Sequence, residues 1–190
     1  MNYASSARAA AIQAAQRVIE TGPVYLDTET TGITTNDEII ELAIIDRDGS
    51  PLFNQLVRPT RKIPPEATAI NNITDAQVAG ASPLPFVWQS IRAILDKRVI
   101  ATYNAEFDLR MIRQSLALYN ISWQTPVNQF CIMKCYAQFI GDWDIRRRSY
   151  RNFSLEMAGR NCGIAIPNSH RACDDALLAR EVLHFIAMQT

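Results

Sequence analysis

The pattern of apolar and polar residues divides the chain into helices and strands. Apolar side chains at helical spacing predict helices, and short apolar or β-branched runs predict strands. The predicted helices cover residues 7–21, 84–97, 105–119, 133–140, 154–161 and 173–188. The predicted strands cover residues 24–28, 38–46, 52–58, 99–102 and 129–132. Between them, residues 59–83 have a proline-rich, irregular pattern that predicts neither.

The order of these elements predicts the fold class. The turn Asp-Arg-Asp-Gly at residues 46–49 separates the second and third strands and predicts an antiparallel hairpin. The later strands alternate with helices, which is typical of parallel connections. We therefore expect an α/β protein with a mixed five-stranded sheet flanked by helices. The length of 190 residues favours one domain, 1–190, in which residues 1–22 form a lead-in helix.

Two carboxylates in the first strand are the first candidates for chemistry. Side chains alternate between the faces of a strand, so Asp27 and Glu29 share one face, about 7 Å apart. Val24, Leu26 and Thr28 point to the other face. An acidic pair in apolar surroundings is costly unless a cation neutralises it, and hard divalent ions prefer oxygen ligands. An isolated pair of this kind is more often an ordinary strand end, so it is weak support for a metal site.

Two further acids lie where predicted helices begin. Asn104 is a suitable N-cap for the helix that follows it, and Asp108 lies on the inward apolar stripe of that helix. Glu106 lies on the opposite side and suits the positive end of the helix dipole. In the last helix, Asp175 faces inward, whereas Asp174 is interpreted as a solvated or capping charge. Asp108 and Asp175 are therefore the better candidates for ligands.

The two histidines receive different interpretations. His170 precedes Asp175 by five residues, about 140° on a helix, so the two cannot share a helical face. We expect His170 on the preceding loop, 166–169, leaning over whatever Asp175 binds. His184 lies in the middle of the last helix and is interpreted as an ordinary polar surface residue.

Taken together, the three acidic motifs resemble a known family. Asp27-x-Glu29 is followed by Thr-Thr-Gly, Asn104 opens the motif Asn-Ala-Glu-Phe-Asp108, and His170 precedes Asp175. Their order is similar to that of the DEDD superfamily of 3′-to-5′ exonucleases, in the histidine-bearing branch called DEDDh. That branch includes proofreading exonuclease subunits, oligoribonuclease and ribonuclease T, and its fold is ribonuclease H-like. The motifs span about 150 of the 190 residues.

The resemblance implies a phosphodiesterase that uses Mg²⁺ or Mn²⁺, with two ions per active site. Ions roughly 3.5–4 Å apart can stabilise both the attacking and the leaving oxygen. By resemblance, Asp27 would bridge both ions and Glu29 and Asp175 would complete the site beside the nucleophile. Asp108 would hold the other ion directly or through water. His170 would be the general base, and hydrolysis would release nucleoside 5′-monophosphates from the 3′ end of single-stranded or frayed DNA or RNA.

The resemblance also nominates side chains for substrate binding. Thr30 and Thr31 follow Glu29, and Phe107 precedes Asp108, so the three are candidates for lining the terminal nucleotide. Core packing is an equally good interpretation of Phe107.

The net charge and the distribution of charge differ in what they indicate about a nucleic-acid partner. Lys+Arg and Asp+Glu each number 19, so the formal net charge is zero and decides nothing. Two divalent ions would add about four positive charges to the loaded enzyme. Residues 142–151 carry Arg146, Arg147, Arg148 and Arg151 among aromatic residues, a composition that suits phosphate contact and base stacking. A solvated surface loop can have the same composition.

The chain departs from the family between the third strand and the next helix. Residues 63–67 and Ile73-Thr74 are similar to the family's sequence, which often has His-Gly before Ile-Thr, whereas this chain has Asn71-Asn72. We expect the metal site to be unaffected. The contact that the family's histidine would make to the terminal nucleotide is placed in doubt.

Cysteine spacing and hydropathy bear on the compartment. No zinc spacing joins the cysteines, which we interpret as reduced thiols of a cytoplasmic protein: Cys131, Cys135, Cys162 and Cys173. No apolar run approaches the roughly 20 residues that cross a bilayer, so we expect no membrane-spanning segment. The first 16 residues superficially suit a transit peptide, but helical character continues into residues 17–20, which favours a structural helix.

Two other functions remain open at this point. A non-catalytic nucleic-acid-binding module could keep the fold, although the complete set of four acids and His170 argues against it. A metal-dependent endonuclease of the same architecture is the second alternative, for which the spacing of His170 would be unusual. The sequence does not distinguish DNA from RNA, and it does not identify an oligomeric state, a polymerase partner or a pathway.

Overall fold

A mixed five-stranded sheet lies at the centre of the chain, which the computed structural model describes at residues 3–124, 128–166 and 169–190. The strands are β1 (Val24–Thr30), β2 (Ile39–Ile45), β3 (Pro51–Leu56), β4 (Ile100–Thr102) and β5 (Gln129–Cys131). Their order is β3-β2-β1-β4-β5. The pairs β1–β2 and β2–β3 are antiparallel, whereas β1–β4 and β4–β5 are parallel. The predicted mixed sheet is therefore confirmed.

Helices cover both faces of this sheet. They are α1 (Tyr3–Glu20), α2 (Pro65–Asn71), α3 (Asp75–Val78), α4 (Leu84–Leu95), α5 (Ala105–Ala117), α6 (Ile132–Ile140), α7 (Leu155–Asn161) and α8 (Ala172–Ala187). Tyr25 packs in a core with α1, α6 and α8. Val24 and Leu26 pack in a second core with α4 and α5. The two cores meet opposite faces of β1, as the alternation of its side chains predicts.

Strand β2 is buried along its whole length, because it lies between β1 and β3 and is covered on both faces. Its apolar residues are shared among three hydrophobic clusters. Glu41 lies in the middle of this strand and is only 3% exposed. A buried carboxylate requires a partner, and that partner becomes important at the site described below.

Two short helices occupy the segment that was predicted to be irregular. Helix α2 begins with Pro65 at its first position, where the missing N–H costs nothing and the fixed φ angle suits the helix. Helix α3 begins with a capping box, in which Thr74 and Gln77 satisfy each other's backbone N–H groups. The prolines were therefore interpreted wrongly, because they start a helix here and do not disrupt one.

The arginine-rich segment is a hairpin. Its strands are β6 (Trp143–Asp144) and β7 (Ser149–Tyr150), paired antiparallel, with the Trp143 and Tyr150 rings in edge-to-face contact at 5.0 Å between centroids. The alternative of a solvated loop is thus wrong in its backbone and correct in its exposure.

The prediction for His184 also needs correction. It is half-buried, and its Nε2 lies 3.2 Å from the hydroxyl of Tyr25. Burial lowers the pKa of His184, with the nearby Arg180 charge acting in the same direction. Helix α8 packs against α1, α6, α7 and three strands, so little of its surface remains for an ordinary exposed histidine.

Two smaller expectations concern the thiols and the bilayer. All four cysteines are free, in agreement with the prediction of reduced thiols. Within the described ranges, none of the helices is both long and apolar enough to cross a membrane.

Candidate active site

The predicted ligands meet where β1 ends and α5 and α8 begin. Asp27 and Glu29 project from the face of β1 that carries Tyr25, which packs toward α8. Asp108 and Asp175 lie in the first turns of α5 and α8. Four acids from three separate segments of the sequence therefore converge at one end of the sheet.

Asp108 is held by hydroxyl groups from two neighbouring strands. It is 3% exposed and accepts hydrogen bonds from Thr28 Oγ1 at 2.9 Å and Thr102 Oγ1 at 2.8 Å. Burial raises the pKa of Asp108 to about 6, although these bonds oppose the rise. Asn104 is the N-cap of α5, as predicted, although its side chain makes no capping hydrogen bond, and its backbone carbonyl accepts from the Asp108 N–H at 3.1 Å.

Asp175 is held from the loop that precedes α8. It is 4% exposed, and the backbone N–H of Ser169 donates to Asp175 Oδ1 at 3.1 Å. Burial raises the pKa of Asp175 to about 6, with the His170 charge opposing. Asp174 is exposed and accepts from Ser169 Oγ at 2.7 Å, which agrees with its prediction as a solvated charge.

His170 joins Glu29 and Asp175 in a potential metal-binding group. One ligand atom from each residue lies within 4.8 Å of the others. His170 is exposed and has a φ angle of 53°, a left-handed conformation that few non-glycine residues adopt. The predicted loop also includes Pro167 and Asn168, which lie outside the described residues.

Burial, together with repulsion among neighbouring carboxylates, raises the pKa values of the acids at this end of the sheet. Burial raises the pKa of Glu29 to about 8, with the charges of Asp175 and Glu41 adding to the rise. Burial also raises the pKa of Asp27 well above its usual range, and Asp108 contributes the largest repulsion. A divalent cation would relieve this repulsion, and the donor set of carboxylate oxygens with one imidazole fits Mg²⁺ or Mn²⁺.

Glu41 is the charged residue that the sequence analysis missed. It lies directly opposite Glu29 in the pairing of β1 with β2. Its carboxylate binds the guanidinium of Arg171, with Arg171 Nη2 donating to Glu41 Oε1 at 2.5 Å. The available signal was an acid in the middle of an otherwise apolar strand.

Asn71 lies beside Glu29, and the expectation that the departure from the family leaves the metal site unaffected stays a prediction. Its side chain is buried and donates from Nδ2 to the carbonyl of Thr30 at 3.3 Å, and its hydrogen bond to Glu29 opposes the rise that burial causes in the pKa of that carboxyl. Asn72 adopts a left-handed φ angle of 57° and caps α2. Both asparagines therefore stabilise the local backbone, Asn71 at the end of β1 and Asn72 at the end of α2.

The candidate nucleotide-lining residues are mostly engaged within the chain. Thr30 Oγ1 donates to the carbonyl of Gly32 at 2.7 Å, and Thr31 Oγ1 donates to Asp37 Oδ1 at 3.0 Å. Both threonines are buried. Phe107 is half-buried against the α4–α5 core, with the Arg110 guanidinium 5.3 Å from its ring centre. Their contact with a nucleotide stays a prediction.

The three arginines predicted to contact the strand lie on another element. Arg146, Arg147 and Arg148 form the exposed turn between β6 and β7, and this hairpin packs against α6. Asp144 Oδ1 accepts from the backbone N–H groups of Arg146 and Arg147 at 2.9 and 3.1 Å, which shapes the turn. Their guanidinium groups are thus presented outward, on an element separate from those that carry the acids.

Comparison with known proteins assigns the chain to a family. The RNase_T exonuclease family model matches residues 24–183, a range that contains all four acids and His170. The chain belongs to this exonuclease family. The resemblance to exonucleases that the motifs indicate is confirmed, and so is the assignment as a nuclease.

Relatives of very different length are similar to this domain. An uncharacterized exonuclease of Escherichia phage 186 is 31% identical over 181 residues, which cover 92% of this chain and 93% of the relative. A DNA polymerase III subunit epsilon-like protein of Rhodobacter capsulatus is 30% identical over 167 residues, covering 83% of this chain and 22% of that protein. The chain thus matches nearly all of one relative and a part of the other.

Solved structures show the same fold. A structure described as exonuclease X in complex with 5′-overhanging duplex DNA aligns with a TM-score of 0.61 and 28% identity, covering 87% of this chain and 90% of that one. The nuclease domain of a DEDDh 3′-exonuclease bound to rAMP aligns with a TM-score of 0.64 and 18% identity, covering 85% and 89%. The second likeness concerns the fold alone.

Proposed function

We propose that residues 1–190 form one divalent-metal-dependent exonuclease domain that removes nucleotides from the 3′ end of single-stranded or frayed nucleic acid. One observation carries this proposal: four acids converge with His170 where β1, α5 and α8 meet. The similarity to a phage exonuclease over nearly the whole chain supports it. The similarity to exonuclease X, whose structure contains DNA, supports a nucleic-acid substrate.

The acidic cluster would hold two ions, Mg²⁺ or Mn²⁺. Asp27, Glu29, Asp108 and Asp175 are the proposed ligands. When bound, the ions would neutralise the carboxylates and stabilise the charge that develops on the phosphate oxygens. The raised pKa values of Glu29, Asp108 and Asp175 support the need for such neutralisation.

His170 would act as the general base. Its imidazole nitrogen would accept the proton of the attacking water as the water oxygen bonds to phosphorus. The bond from phosphorus to the 3′ oxygen then breaks and that oxygen takes up a proton from solvent water, so the released nucleotide carries the 5′ phosphate and the shortened strand ends in a 3′ hydroxyl. The exposure of His170 supports this role, because the imidazole is open to solvent beside Glu29 and Asp175.

The hairpin arginines would bind the strand upstream of its end. Arg146, Arg147 and Arg148 are exposed and lie between the aromatic residues Trp143 and Tyr150. Phosphate contacts from such residues raise affinity and make it sensitive to salt. Thr30, Thr31 and Phe107 would shape the pocket for the terminal nucleotide.

The decisive experiment compares linear and circular single strands of DNA and RNA. With Mg²⁺ or Mn²⁺, a 5′-labelled linear strand should shorten in one-nucleotide steps, while a circle of the same sequence stays intact. Cutting of the circle would identify an endonuclease, and inertness toward every substrate would identify a binding module. A strand blocked at its 3′ end tests polarity, because it should resist degradation.

The role of the hairpin is tested separately. Replacing Arg146, Arg147 and Arg148 with alanine should raise KM and weaken the salt dependence of strand binding, by up to about 0.7 in logarithmic slope for each lost phosphate contact. Arg160→Ala is the control, because Arg160 pairs with Glu156 on the exposed side of α7. A triple variant with unchanged KM and salt slope contradicts the assignment.

A further inference from the structure

The ion pair between Glu41 and Arg171 connects the middle of the sheet to the start of α8. Arg171 Nε lies 3.2 and 3.1 Å from the two carboxylate oxygens of Glu41, and Nη2 lies 2.5 Å from Oε1. The backbone N–H of Ala172 donates to Glu41 Oε2 at 2.9 Å. Both oxygens of Glu41 are therefore occupied by groups at one helix start.

Arg171 is linked to both His170 and Asp175, the two residues of the proposed site that lie at the start of α8. It directly follows His170 in the chain, and its backbone carbonyl accepts from the N–H of Asp175 at 3.0 Å. Its side chain reaches back to β2. One residue thus connects the loop of the proposed base, the first turn that carries Asp175, and the sheet.

The sheet register places the other end of this connection beside the ligands. Glu41 pairs with Glu29 across β1 and β2. A contact anchored on Glu41 therefore fixes α8 relative to Glu29, whose ligand atom belongs to the same group as those of His170 and Asp175.

We propose that the Glu41–Arg171 pair is a positioning device that sets His170 and Asp175 against Glu29, and that Glu41 is a support and not a fifth metal ligand. The proposal rests on the proposed function. Side-chain exposure favours it, since Glu41 is 4% exposed and could not remain an isolated charge, while Arg171 is 45% exposed. An arginine suits this position because its planar fork contacts both carboxylate oxygens at once.

The experiment measures Mn²⁺ binding by calorimetry in the absence of substrate, and kcat and KM for a single strand at saturating Mn²⁺. The variants are Arg171→Ala, Arg171→Lys, Glu41→Gln and the double variant Glu41→Gln/Arg171→Ala. Arg98→Ala is the matched control. Arg98 forms a part-buried ion pair with Asp46 at 2.6 Å and also bonds the carbonyl of Gly22 at 2.7 Å, but this pair joins the ends of other strands.

A positioning device predicts a specific pattern. Arg171→Ala should weaken Mn²⁺ binding by about 10-fold or more, in the range found for groups that orient metal ligands. It should lower kcat on the order of 10²-fold with KM unchanged, the cost of a small misplacement of reacting groups. Glu41→Gln should act in the same direction, the lysine variant should lie between, and the double variant should be no worse than the more affected single one.

Three results would overturn the inference. In the first, the folded variants lose thermal stability as Arg98→Ala does but keep Mn²⁺ affinity and kcat, which makes the pair merely structural. In the second, Glu41→Gln weakens Mn²⁺ binding while both Arg171 variants leave it intact, which makes Glu41 a ligand. In the third, the losses of Mn²⁺ affinity and kcat in the two single variants add in the double variant, which makes Glu41 and Arg171 independent of each other. If the alanine variant fails to fold, Arg171→Lys and Glu41→Gln decide.

Failure of the proposed function would look different. In that case the unsubstituted protein degrades no strand, and kcat is undefined for every variant. Mn²⁺ binding still separates positioning from a purely structural pair, because that measurement requires no turnover.

Discussion

Helices α5 and α8 each bring a buried aspartate to the same end of the sheet, but they fix it in different ways. Asp108 on α5 is bonded by hydroxyl groups of Thr28 and Thr102, which lie on adjacent strands. Asp175 on α8 is bonded by the backbone N–H of Ser169, and its helix is joined to the sheet through Arg171. One aspartate is held by the sheet and the other by a loop and an ion pair.

This difference indicates which half of the site is more easily disturbed. The hydroxyl donors of the α5 half belong to strands whose own backbone pairing holds them in register. The α8 half depends on a left-handed backbone at His170 and on a charged contact between residues 130 positions apart. We expect substitutions in the α8 half to affect activity more than stability, and those in the α5 half to affect both.

Asp27 faces both halves, and its replacement should have the largest effect. Asp27→Asn removes a proposed metal ligand, so it should abolish measurable turnover. It also removes the repulsion between Asp27 and the charges of Asp108 and Asp175, so it should raise the melting temperature of the metal-free protein. Activity on a labelled strand and a thermal melt in EDTA measure the two results. Retained turnover would show that Asp27 is not a ligand.

Replacing the proposed base should have the next largest effect, confined to the α8 half. His170→Ala should slow turnover by about 10²–10⁴-fold, the range for a positioned general base. His184→Ala is the control, because it removes the other histidine, which contacts Tyr25 and does not belong to the group formed by Glu29, His170 and Asp175. Full activity of His170→Ala across pH 6 to 9 would show that another group takes the proton.

A smaller effect is expected in the α5 half. Thr102→Val keeps the shape of the side chain but removes the donor to Asp108, so the pKa of Asp108 should rise further above its usual value. Loss of a hydrogen bond to a charged acceptor should cost about 1.5–3 kcal/mol of stability, and kcat/KM should fall by about 10-fold. Urea unfolding and steady-state kinetics measure both.

The control for this substitution is Thr21→Val, since Thr21 bonds only a helix carbonyl at an exposed position. We expect its free energy of unfolding to change by less than about 0.5 kcal/mol. If the two valine substitutions changed the free energy of unfolding equally, Thr102 would not stabilise Asp108.

The smallest effect is a pH dependence that both halves share. The pKa values are raised to about 8 for Glu29 and to about 6 for Asp108 and Asp175. The folded protein therefore binds more protons than the unfolded chain between about pH 4 and 8, so its stability without metal should fall as pH rises through this window. The melting temperature in EDTA should be lower at pH 8 than at pH 5, and Mg²⁺ should raise it more at pH 8.

The sequence was sufficient to predict the features that follow from local periodicity. Alternation along β1 placed Asp27 and Glu29 on one face, and the apolar stripes of α5 and α8 placed Asp108 and Asp175 inward. Those patterns need only the backbone geometry of a strand or a helix.

Long-range contacts could not be read in the same way. Glu41 stands in an apolar run of the sequence, and its partner Arg171 lies 130 residues later, so no local pattern pairs the two. Asn71 looked remote from the metal site until the fold brought its side chain to Glu29. By contrast, α3 could have been predicted, because the spacing of Thr74 and Gln77 in the sequence is that of a capping box.

The turn after β1 has a consequence for redesign. A Cβ atom at Gly32 would lie 2.7 Å from the Asp37 carboxylate, so no larger residue fits there without displacing it. Arg110 and Gln114 hold the carbonyls of Ile33 and Thr34, while the side chains at 33–36 are open to solvent. A combinatorial library should therefore keep glycine at position 32 and Thr34, whose hydroxyl donates to Asp37 at 2.7 Å, and randomise the exposed positions 33, 35 and 36.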